Sequence, residues 1–110
     1  MKVVNRIKKY EEFQKIISEG SLIRNDSFNA YYVKVTKPLS RFGISIPKKS
    51  GNAVIRNRMK RQIRAAIGAS CDMSIPVEVI FIARKNYDIN NYQKTLADVV
   101  DVIKKSRIKT

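Results

Sequence analysis

Lys48-Lys49-Ser50-Gly51-Asn52-Ala53-Val54-Ile55-Arg56-Asn57-Arg58-Met59-Lys60-Arg61-Gln62-Ile63-Arg64 decides how this chain is read. Seven of these seventeen residues are Lys or Arg, and none is acidic. From Val54 onward the stretch has the period of an α-helix. At about 100° per residue, Ile55, Met59, Ile63 and Ala66 form one stripe. Asn57, Lys60, Arg61 and Arg64 fall on the opposite side, flanked by Arg56 and Arg58. One face is built to pack on a core, the other to present cations, and Asn52 is placed to cap the start. Like charges one turn apart, as at Arg56 and Lys60, cost a free helix about a few tenths of a kcal/mol per pair. A merely solvated face mixes its signs. This one does not, and the partner it predicts is a polyanion.

Working outward, Arg41-Phe42-Gly43-Ile44-Ser45-Ile46 reads as a strand with Phe42, Ile44 and Ile46 on one face, ended by Pro47. Phe28 to Thr36 is a second, with Tyr31 and Tyr32 pointing to opposite sides. The short link through Pro38 predicts that these two strands pair antiparallel. Ser21 to Ser27 reads as a polar connection. Before it, Tyr10, Phe13, Ile16 and Ile17 recur at helical spacing, and Gly20 is placed as the C′ residue that ends the helix. Beyond the basic helix come a loop with Gly68, Ser70, Asp72 and Ser74 and the most apolar strand, Pro76 to Ala83. A last helix carries Tyr92, Leu96, Val99, Val100 and Ile103, with Lys104, Lys105, Arg107 and Lys109 suited to its C-terminal dipole. The class is α+β: a two-layer α/β sandwich of one small mixed sheet with helices, in the order α-β-β-α-β-α. Residues 1–110 form a single RNA-binding domain by this reading. If the strands flanking the basic helix are parallel neighbours, the general rule makes their crossover right-handed.

Composition narrows the function. Lys and Arg number 23 against 9 Asp and Glu, a formal charge of +14, with no His. Such an excess favours nucleic acid first and an anionic membrane second. No apolar run approaches the ~18 residues of a membrane span, and Met1 to Arg6 lacks the apolar region of a signal peptide. A cytoplasmic location, with no membrane partner, follows by default. Cys71 is the sole cysteine, so neither a disulfide framework nor a cysteine metal cluster is expected. Without His there is no imidazole base. Lys48-Lys49-Ser50-Gly51 lacks the spacing of a nucleotide-binding loop. The carboxylates are scattered; Asp98 and Asp101, three apart on the last helix, suit a metal ion or, more ordinarily, a solvated face. No catalytic set, metal site or small-molecule cofactor is expected of the protein's side chains. Binding remains, and Phe13, Phe28, Tyr31 and Tyr32 beside the cations offer stacking for unpaired bases, which suits RNA better than duplex DNA.

Arg41 to Arg61 closely resembles the signature of the bacterial ribonuclease P protein subunit, with Arg56-Asn57-Arg58 at its heart and Lys60-Arg61 and Arg64 following. Lys9-Tyr10-Glu11-Glu12-Phe13 resembles that family's first helix, and Val79-Ile80-Phe81-Ile82-Ala83-Arg84 its last strand. The resemblance implies the protein partner of a catalytic RNA that removes 5′ leaders from precursor tRNA. By the same resemblance, the ribonuclease P RNA is expected to perform the hydrolysis with Mg²⁺, bound mainly by the RNA. It implies leader contacts at Phe13, Ile17, Tyr31, Asn57, Lys60 and Arg64, and contacts to the catalytic RNA at Lys48, Lys49, Arg56, Arg58 and Arg61. It also implies a left-handed crossover through the basic helix, against the general rule, and a fold shared with a ribosomal protein domain. Two residues depart from the family's pattern: Ile17 where an aromatic is frequent, and Pro47 where Ser is common. Two alternatives stand beside this reading. A structural protein of another ribonucleoprotein, such as a ribosomal subunit, would show the same steep salt dependence. A stand-alone nuclease is disfavoured by the absence of His and of a carboxylate cluster.

Overall fold

Stretches rich in β-branched and aromatic residues and stretches of helical period follow one another along the chain and assemble around one sheet. The computed structural model describes residues 6–7, 9–34, 40–70 and 77–108. In chain order the elements are α1 (Tyr10–Glu19), β1 (Ser21–Arg24), β2 (Phe28–Lys34), β3 (Arg41–Ser45), a 3-10 turn at Lys48–Ser50, α2 (Ala53–Ser70), β4 (Val77–Ala83) and α3 (Tyr92–Ile108). The sheet order is β1-β2-β4-β3. β2 runs antiparallel to both β1 and β4, and β3 runs parallel to β4, so β3, α2 and β4 form a crossover unit.

The pleat sorts the side chains. Phe28, Ala30 and Tyr32 of β2, Phe42 and Ile44 of β3, and Val77, Val79 and Phe81 of β4 share one face. Ile63, Ala66 and Ile67 of α2 and Val99, Val102 and Ile103 of α3 pack on it. Phe81 lies between two rings, edge-on to Phe28 at 5.2 Å and tilted against Phe42 at 6.4 Å. The other face carries Tyr31 and Val33 of β2 and Ile80 and Ile82 of β4, covered by Phe13, Ile16 and Ile17 of α1 and by Ile7. Tyr31 and Tyr32 therefore do point to opposite sides. Ile7 reaches its place by donating its backbone N–H to the Phe42 carbonyl at 2.8 Å, which extends the sheet beyond β3.

Four expectations are corrected. Gly68 and Ser70, read as loop, belong to α2, which runs to Ser70. The strands at 28–36 and 41–46 are not neighbours, because β4 lies between them, from Phe28↔Ala83 on one side to Ser45↔Ile82 on the other. The most apolar strand takes the centre, where both its edges are paired and both its faces covered. The polar connection after α1 is shorter than expected. Ser21–Arg24 pairs with β2 from Ser21↔Tyr32 to Arg24↔Asn29 as an edge strand with only Ile23 buried. Finally, Gly20 ends α1 with φ −79° and ψ 164°, extended rather than left-handed. A Cβ there would stand 2.5 Å from the Ile16 carbonyl oxygen and 2.8 Å from that of Tyr32, so the site needs glycine for room. Pro38, Cys71, Asp72, Ser74, Pro76 and Lys109 lie outside the described residues.

Candidate nucleic-acid interface

α2 forms as its period requires. Asn52 Oδ1 accepts the N–H of Ile55 at 3.0 Å, capping the first turn. Gly51, at φ 153°, supplies the backbone turn between the 3-10 segment and the helix. Met59, Ile63, Ala66 and Ile67 are buried, while Ile55, at the open end of the same stripe, is 40% exposed. The cations fall where the wheel puts them. Asn57, Arg58 and Arg61 are exposed, as are Lys48 and Lys49 in the preceding turn. Arg56 is half-buried, and its Nε donates to the Gly51 carbonyl at 3.1 Å. That bond ties Arg56 to the turn and sets it on the flank of Lys60, one turn on. Among the described residues no α2 cation forms an ion pair with a carboxylate.

The flank of α2 that carries Lys60 faces the sheet edge. Lys60 and Arg64, both half-buried, line a cleft of about 280 Å³ with Arg6, Ile7, Phe42, Gly43 and Ile44. Among the described residues, the Nε atoms of Arg6 and Arg64 are buried without a hydrogen-bond partner. Burial, and after it the charge of Arg6, pushes the Arg64 guanidinium below its ordinary pKa. Two cations held together with buried donors unmet are costly unless an anion joins them.

The apolar candidates are gathered on the sheet face under α1. Phe13, Ile17 and Tyr31, all half-buried, pack together around Ile7, Ile16 and Ile80. Ile7 belongs to this cluster and to the cationic cleft alike. The six residues assigned to a leader thus form an apolar group of three (Phe13, Ile17, Tyr31), a cleft pair (Lys60, Arg64) and the exposed Asn57.

Sequence reasoning missed Arg6. It is one of several Lys and Arg residues that precede α1 in the sequence, and no local period marks it. Only the edge pairing of Ile7 with Phe42 carries it to Arg64. The carboxylates have structural duties. Ser27 Oγ donates to Asp98, and Asn25 Nδ2 donates to Asp101 Oδ2 at 3.1 Å, tying the β1–β2 connection to α3. Lys94 pairs with Asp26 and holds its carboxyl below the usual range. Asp101 also pairs with Lys105 at 3.2 Å. Among the described residues no group of three or more His, Cys, Asp or Glu is placed to hold a metal ion, and no helix is long and apolar enough to cross a membrane.

A family model described as Ribonuclease P matches residues 1–107. The ribonuclease P protein component of Bacillus velezensis is 37% identical over 109 residues, which cover 98% of this chain and 94% of that one. Its counterpart in Streptococcus agalactiae is 36% identical over 104 residues, covering 94% and 95%. Among solved structures, the RNase P protein of Staphylococcus aureus superposes with a TM-score of 0.79 at 31% identity, covering 92% of this chain and 93% of that one.

Proposed function

The chain belongs to the ribonuclease P protein family, and from that premise we propose how it serves as the protein subunit of this tRNA-processing endoribonuclease. In this reading the protein's own side chains bind rather than cleave. The RNA subunit performs the cleavage, with Mg²⁺ bound mainly by RNA. The donor set fits that division, since Asp26, Asp98 and Asp101 are engaged by Lys94, Ser27, Asn25 and Lys105. The family match decides against a structural protein of the ribosome.

The two flanks of α2 serve two RNAs in this proposal. Lys48, Lys49, Arg58 and Arg61, exposed, meet the catalytic RNA, with Arg56 at the turn. Lys60 and Arg64, with Arg6, seat a phosphate of the precursor tRNA leader, while Phe13, Ile17 and Tyr31 offer an apolar floor for its bases and Asn57 lies beside them. The observation that carries this reading is the pair of buried, unmet guanidinium Nε atoms at Arg6 and Arg64. A phosphodiester supplies both the charge and the acceptors they lack. The chain's +14 charge also screens leader from catalytic RNA, lowering the Mg²⁺ needed for the same task. A cytoplasmic location belongs to the same proposal.

Arg64→Ala is the test. Affinity of the reconstituted holoenzyme for precursor tRNA is expected to fall about tenfold, with the salt slope reduced by about one. Affinity for mature tRNA, which has no leader, is expected to stay within about twofold. Equal losses for both substrates reject the leader assignment.

A further inference from the structure

Gly43 sits in β3, paired with Ile80 of β4, and its φ is negative. Its backbone conformation therefore makes no demand that other residues cannot meet. What the position demands is space. A Cβ built on Gly43 would stand 2.7 Å from Cζ of Phe13 and 3.2 Å from each of its Cε atoms. Those three atoms are the tip of the ring, so Phe13 points tip-first at the glycine. Phe13 is only half-buried, so the ring has solvent to move into. A methyl group at position 43 would displace the ring before it displaced the strand. Gly43 also lines the cleft that holds Arg6, Lys60 and Arg64. The apolar floor and the cationic cleft meet at Gly43, as they do at Ile7.

We propose that Gly43 is a positioning residue of the leader groove: by carrying no side chain it seats the Phe13 ring against β3 at the border of the cationic cleft, where a leader base stacks. This rests on the leader reading above. The experiment compares affinities for precursor and mature tRNA in holoenzyme reconstituted with wild type, Gly43→Ala, Phe13→Leu and the double variant. Phe13→Leu keeps apolar bulk and removes the ring. Each single substitution is expected to lower the precursor-to-mature affinity ratio by about fivefold or more, and the double variant is expected to go no lower than the lower single. Both substrates report on the same folded fraction, so a loss of stability cancels in the ratio. Equal weakening toward both substrates by Gly43→Ala makes the glycine merely structural and overturns the proposal. An unchanged ratio in Gly43→Ala, with a lowered one in Phe13→Leu, overturns it while the leader reading stands. An unchanged ratio in Phe13→Leu removes the apolar half of that reading and the proposal with it.

Discussion

Arg41 and Arg64 are chemically the same residue put to opposite uses. Arg41 donates from Nη2 to Glu12 Oε1 at 2.9 Å and from Nη1 to Glu78 Oε2 at 3.0 Å, with Nη1 also 2.8 Å from Glu12 Oε2. Glu12, before all else, holds its pKa above the ordinary guanidinium value. The fork braces α1 against β3 and β4. Arg41→Ala strands Glu78, which is 8% exposed, and is expected to cost about 2–4 kcal/mol, a range at or below that for fully buried pairs. Urea denaturation measures it, and a loss below about 0.5 kcal/mol would show that the brace is idle. Among the described residues Arg64 has no such partner, and in the proposed reading its unmet Nε belongs to a binding group. None of this was legible locally. Glu12 and Glu78 lie 29 and 37 residues from Arg41, and Arg6 reaches Arg64 only through strand pairing.

The helices were legible as elements because their signal is local. Ile63 and Ala66 repeat at helical spacing and are buried, Asn52 caps as its chemistry allows, and the cations take the remaining sides of α2. The strand order was not legible, since nothing within residues 28–46 shows that β4, some forty residues on, will insert between β2 and β3. β1 was missed because four residues with one buried apolar side chain give no alternation to read. The junction of α1 with β1 makes its own prediction. At Gly20 the nearest atoms to an added Cβ are backbone oxygens, which cannot swing aside as the Phe13 ring can at Gly43. Gly20→Ala is therefore expected to destabilise by about 1–3 kcal/mol through overpacking. Gly43→Ala should cost clearly less in the same denaturation assay. The reverse order would mean that Phe13 is the rigid partner.

On the scale of the whole molecule, charge is segregated along the chain. No Asp or Glu occurs between Asp26 and Asp72, a span that includes β2, β3 and all of α2. The carboxylates on the α3 side are consumed in bonds that hold the β1–β2 connection in place. The excess is thus left on the surface that α2 dominates, and in the proposed reading the fold serves as a mount for cations. We propose that this protein lends a catalytic RNA charge and a leader seat while cleaving nothing itself. The direct measurement is precursor-tRNA cleavage at low Mg²⁺ by a bacterial ribonuclease P RNA, with and without the protein, beside the protein alone. The expected result is an inactive protein, a nearly inactive RNA and an active mixture. Cleavage by the protein alone, or binding without stimulation of the RNA, would contradict it.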